Sequence, residues 1–148
     1  MERRVVVRAV IYKDGKVFAV RHKSSPNHWS TPGGGLEDGE DLVYGLKREI
    51  IEETGVTPII DRVLFVQQFY HYGYNNERLE FFFLVKNTND FLIIDKSQTT
   101  HGDYEIEEYA FIDPKTENFL PEFLQDIDFG EYTKKIRPVF LTSSLPKK

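Results

Sequence analysis

At 148 residues, 40% hydrophobic and 29% charged, the chain is expected to form one ordinary globular domain with enough apolar side chains for a sizeable core. A net charge of −5 argues against a general nucleic-acid-binding surface, yet leaves room for a nucleotide whose phosphates are held through a cation. The absence of cysteine excludes disulfides, thiolate chemistry and cysteine-based zinc sites.

In chain order, the first residues mix charges with a short apolar run and lack a signal-peptide core. The longest apolar stretch, residues 81–85, is far too short to span a membrane, so a soluble cytoplasmic protein with no membrane partner is expected. Residues 4–12 are rich in β-branched side chains, and Asp14-Gly15 is a turn signal before residues 17–20, which predicts a hairpin. A glycine-rich loop, residues 29–40, leads into an acidic helix that Gly55 terminates. Strands are predicted over 59–72 and 77–86, joined by polar residues 73–76, and again over 107–112. Apolar residues near helical spacing predict a second helix over 117–127, with Pro121 tolerated in its first turn. The tail, residues 143–148, is expected to fray, leaving one domain over 1–142. This order of elements predicts an α/β fold, a mixed β-sheet with helices on its faces.

The chemistry concentrates in residues 34–56, GGLEDGEDLVYGLKREIIEETGV. Glu49, Glu52 and Glu53 share one helix face across an arc of roughly 100°. Leu42, Val43, Leu46 and Ile50 give the same helix a buried stripe. The glutamates fall in its last turns, where the helix dipole makes each negative charge unfavourable by about 0.3–1 kcal/mol. Arg48 relieves part of this repulsion, and a divalent cation would relieve much more. Hard oxygen ligands suit Mg²⁺ or Mn²⁺. The three successive glycines before the helix let the backbone approach an ion or a phosphate closely.

These residues resemble the signature of the Nudix hydrolases. Gly34, Glu40, Arg48, Glu49, Ile50, Glu52, Glu53, Gly55 and Val56 fill every fixed position of the Nudix box, and Trp29 and Pro32-Gly33 resemble the usual entry to it. The resemblance implies an α/β/α sandwich and a metal-dependent pyrophosphohydrolase, in which water attacks a phosphorus of a diphosphate linkage. It implies Glu52 and Glu53 as metal ligands, Glu49 as a third ligand or the general base, and the Gly33 carbonyl completing the coordination. Arg48 and Glu40 are expected to form a supporting ion pair, with Gly34 and Gly55 shaping the loop and the helix end. Some members recruit a further carboxylate from a distant loop; here Asp103, Glu105, Glu107 and Glu108 are the candidates, Glu105 foremost. The substrate is expected to be a small nucleotide: a nucleoside triphosphate, canonical or oxidised, or a dinucleoside polyphosphate. Tyr72, sixteen residues beyond Val56, resembles the dinucleoside polyphosphate pattern, and the proline of the ADP-ribose branch is absent there. Trp29, Tyr70 and Tyr72 are candidate base-stacking residues, and Arg21 a candidate for the distal phosphates. A non-catalytic nucleotide-sensing module is the alternative, and the full glutamate set argues against it. The sequence leaves the oligomeric state open.

Overall fold

The computed structural model describes residues 2–143. The first strand, β1 (Glu2–Val10), leads through Ile11 into a short hairpin of β2 (Tyr12–Lys13) and β3 (Lys16–His22). Asp14 and Gly15 turn this hairpin with φ of 50° and 81°, the paired left-handed geometry that suits a two-residue turn. The hairpin predicted for residues 4–12 with 17–20 is thus narrower than expected. Ile11 breaks the run, and β1 joins a different sheet. Next come β4 (Trp29–Ser30), β5 (Gly33–Gly35), α1 (Leu42–Thr54), β6 (Ile60–His71) and β7 (Asn76–Val85). The one-turn helix α2 (Gly102–Glu105), β8 (Ile106–Ile112), β9 (Phe119–Leu120), the one-turn helix α3 (Phe129–Tyr132) and β10 (Val139–Ser143) complete the order.

Two sheets result. The first is mixed, in the order β10-β6-β7-β1-β5, with β10 parallel to β6 and β7 parallel to β1. In the second, β3 pairs with β2, β4 and β8, and β4 pairs with β9. The helix predicted over 117–127 is absent. Phe119 and Leu120 instead pair with Trp29 and Ser30, and only a single 3₁₀ turn, Glu122–Gln125, follows Pro121. Proline has no N–H to donate, so the helical spacing of the apolar residues is used by a strand and a turn. Ser143 pairs with Phe69 at the end of β10, and the rest of the expected frayed tail lies outside the described residues.

The mixed sheet separates two cores. Val7, Ala9, Phe83 and Val85 pack on one face against Leu46 and Ile50 of α1. Phe65 and Phe82 pack on the other against Phe119, Leu124 and Phe129. The result is an α/β/α sandwich. Alternation along β3 sends Phe18 and Val20 into the first core and Val17 and Ala19 into the second. Among the described residues no helix is long and apolar enough to cross a membrane.

Candidate active site

The acidic helix begins and ends where its capping residues dictate. The Asp41 carboxylate accepts a hydrogen bond from the Tyr44 N–H at 2.8 Å, and Gly55, at φ 74°, returns its own N–H to the Ile51 carbonyl at 2.9 Å. Leu46 and Ile50 are fully buried, whereas Val43 is 42% exposed and lies off the buried stripe. Anchored in this way, the helix turns Glu49 and Glu53 toward the glycine strand β5. Gly34 is needed there, because a Cβ would stand 2.6 Å from the Glu49 carboxyl carbon. Gly33 has φ 145°, a conformation that side chains rarely adopt, and its Cβ would meet the Val7 carbonyl oxygen at 2.0 Å.

Arg48 organises the carboxylates. Its Nε and Nη2 donate to both oxygens of Glu40 at 2.6 and 2.8 Å, while Nη1 reaches Glu49 at 3.0 Å and Glu52 at 3.2 Å. Nη2 also donates to the Gly35 carbonyl at 3.2 Å, tying the helix to the loop. The bidentate bond from Arg48 is the main reason that the Glu40 carboxyl is held below the usual range and the Arg48 guanidinium is pushed up. Glu40 therefore stays anionic and Arg48 cationic.

The other carboxylates are less comfortable. Glu53 is only 3% exposed. Burial, then the charge of Glu49, pushes its carboxyl well above the ordinary glutamate range, against the pull of Arg8 and a hydrogen bond from the Gly33 N–H. Its Oε2 is buried with no hydrogen-bond partner. Glu49 is also raised, chiefly by burial, with Arg48 opposing. Glu52 faces His101 Nδ1 at 3.1 Å. The carbonyls at the end of the helix are satisfied from the α2 region, with Tyr109 Oη donating to the Glu53 carbonyl and the His101 N–H to that of Glu52.

The loop from 101 to 108 divides its acids. Glu105 lines an open cavity of about 310 Å³ with His22, Lys23, Ser24 and Tyr104, and its charge reaches Glu53. Asp103 and Glu107 are exposed, and Glu108 pairs with Arg21 at 2.5 Å. Arg21 also lies over the Trp29 ring at 5.5 Å, so these two substrate candidates contact each other, with Glu108 as the arginine's partner. Tyr70 and Tyr72 meet edge to face at 4.7 Å near the tip of the β6–β7 hairpin, and Tyr72 is 74% exposed. The structure does not bring either ring to the glutamates. Sequence reasoning missed Arg8, which donates to Glu80 at 3.0 Å and to the Thr31 carbonyl at 3.2 Å, and whose charge acts on both Glu49 and Glu53. A lone arginine in the apolar run of β1 was the signal available for it.

The NUDIX domain family matches residues 2–128. The chain belongs to the Nudix family. An 8-oxo-dGTP diphosphatase from Buchnera aphidicola subsp. Acyrthosiphon pisum (strain APS) is 35% identical over 71 residues, 48% of this chain and 55% of that protein. An RNA pyrophosphohydrolase from Caulobacter vibrioides (strain NA1000 / CB15N) is 42% identical over 52 residues, 34% of this chain and 30% of that protein. The chain thus spans about half the length, or less, of these curated relatives. The crystal structure of a Nudix hydrolase from Nitrosomonas europaea superposes with a TM-score of 0.67 at 18% identity, covering 98% of this chain and 81% of that one, a likeness of fold. As a Nudix protein, this chain carries the box intact, with its arginine bonded to Glu40, Glu49 and Glu52.

Proposed function

We propose that this Nudix domain, residues 1–142, is a Mg²⁺- or Mn²⁺-dependent pyrophosphohydrolase of the cytoplasm that cleaves a diphosphate linkage in a small nucleotide. The observation that carries the reading is the buried Oε2 of Glu53, which has no partner and stands beside the half-buried Glu49. Leaving such an oxygen bare costs about 1–3 kcal/mol, so a cation is its natural counterpart. Among the described residues no three acidic or histidine side chains converge on a common point. The physical reason is visible: Arg48 Nη1 bridges Glu49 and Glu52, and Glu52 leans toward His101. The all-oxygen donor set nevertheless fits a hard divalent ion. Glu53, Glu52 and Glu49 would hold it, with the Gly33 carbonyl beside them. When bound, such an ion supplies charge stabilisation to the phosphate oxygens and the leaving group.

The chain's own residues then divide the remaining work. Glu40 keeps Arg48 in place, and Arg48 holds Glu49 and Glu52 in orientation. Glu105, half-buried at the cavity and within electrostatic reach of Glu53, accepts the proton of the attacking water. A bond forms from the water oxygen to phosphorus, the bridging P–O bond breaks, and the leaving phosphate departs with its electron pair. The test is turnover of a panel of nucleoside triphosphates, dinucleoside polyphosphates and nucleotide sugars with Mg²⁺, reading phosphate, pyrophosphate and nucleotide products. Absence of hydrolysis across the panel overturns the proposal. If hydrolysis occurs, E105Q is expected to lower kcat about 10²-fold or more, and an unchanged kcat would return the role of base to Glu49.

A further inference from the structure

A second charged feature lies on the mixed sheet, on the face that carries Phe65 and Phe82. Strands β1 and β7 run parallel with Arg4 opposite Arg78, so the two side chains leave the same face about 4.8 Å apart at the backbone. Arg8 and Glu80 share this face but are committed to each other at 3.0 Å. No carboxylate among the described residues lies within ion-pair distance of Arg4 or of Arg78. The Nε of Arg78 is buried with no hydrogen-bond partner, and its guanidinium faces the Tyr74 ring at 5.0 Å. Burial is the main influence that disfavours the charged form of Arg78; the charge of Glu80 opposes it, and the charges of Arg8 and Arg4 add to it. In a chain of net charge −5, two adjacent guanidinium groups without an ion pair among the described residues need a reason. Planar forks of this kind suit phosphate oxygens.

Their position relative to the glutamates supplies the reason. Arg4 Nη2 lies against Gly35, where a Cβ would stand only 2.3 Å from it. The carbonyl of the same Gly35 accepts from Arg48. Strand β5 is the edge of the sheet and has no side chains, so an anionic chain can cross it closely. Arg8 stands between the two regions, its charge acting on Glu49 and Glu53 and also on Arg78.

We propose that Arg4 and Arg78 form a phosphate-binding subsite for the distal end of an oligophosphate chain whose scissile linkage lies at the glutamates. The substrate class is therefore nucleotides with three or more phosphates, in preference to nucleotide sugars joined by only two. This rests on the hydrolase reading for its catalytic consequence, while the anion site itself does not. The experiment is the double variant R4Q/R78Q, checked for an unchanged circular dichroism spectrum, with R4Q/R78K as the second variant should loss of Arg78 unfold the chain. Titration calorimetry with inorganic tripolyphosphate in EDTA at low ionic strength needs no metal, and is expected to show affinity at least about tenfold weaker in the variant. With Mg²⁺, the ratio of kcat/KM for a nucleoside triphosphate to that for ADP-ribose is expected to fall at least about tenfold. Equal tripolyphosphate affinity in the variant and the parent overturns the subsite, even if the parent hydrolyses nucleotides. Weakened tripolyphosphate binding without hydrolysis by the parent upholds the subsite and overturns the hydrolase reading.

Discussion

Replacing Glu53 by Gln removes one charge and keeps the shape of the side chain. In the metal-free protein Glu53 is fully buried, its Oε2 lacks a partner, and only the Gly33 N–H and the charge of Arg8 favour its ionised form. Glutamine leaves a polar atom at the same unpartnered position, so the gain comes from removing the buried charge, and with Arg8 and the Gly33 N–H compensating in part about 1–2 kcal/mol is expected. For a domain of this size that corresponds to a rise in Tm of roughly 2–8 °C in E53Q measured in EDTA. The sign of the pH dependence follows. A carboxyl whose folded pKa is raised contributes stability below its unfolded pKa, about 4.3, and loses it as pH rises through the folded value. The parent's metal-free stability therefore has a component that declines with pH above that point, and E53Q lacks it. Mg²⁺ should narrow or close that gap. At a hundredfold excess over Kd the parent gains about 2.7 kcal/mol, and a variant with affinity cut tenfold gains about 1.4 kcal/mol. Thermal melts with and without Mg²⁺ across pH, together with turnover, measure all of this. An E53Q variant that melts lower in EDTA, keeps the pH slope and gains as much from Mg²⁺ as the parent would refute the assignment of Glu53.

Other expectations follow from the same contacts. Arg48→Lys keeps a charge but loses the bidentate bond to Glu40, so apparent Mg²⁺ affinity should weaken about 10–100-fold in an activity titration. Gly34→Ala places a Cβ 2.6 Å from the Glu49 carboxyl carbon, and should depress activity strongly at near-native circular dichroism. Tyr109→Phe removes the hydrogen bond to the Glu53 carbonyl and should cost about 0.5–1.5 kcal/mol in chemical denaturation. Burial lowers the pKa of His22, so its share of stability is present above its unfolded pKa of about 6.5 and is lost as pH falls below it; urea melts of His22→Gln should show a shallower decline on acidification.

The acidic helix was legible because its signals are local: Gly55 stops it, and residues three and four apart must share a face. The pairing of Arg48 with Glu40 was legible through the resemblance to the Nudix box, which specifies both positions. Arg8 with Glu80, and Arg4 beside Arg78, were not, because the pairing of β1 with β7 joins residues distant in sequence, and no local pattern encodes that register. Residues 117–127 misled for the opposite reason. Their apolar spacing fits a helix, but Pro121 and the available edge at Trp29-Ser30 drew Phe119 and Leu120 into a strand. Val43 shows the limit of periodicity at single positions, being apolar and yet outside the buried stripe.

Because β3 inserts alternate side chains into both halves of the interior, the acidic helix cannot detach without loosening the layer beneath the opposite face. Slow amide exchange near Leu46 and near Phe65 should accordingly report one shared opening event. Ile106, fully buried in the same core and paired with His22 of β3, ties the loop from 101 to 108 to that event.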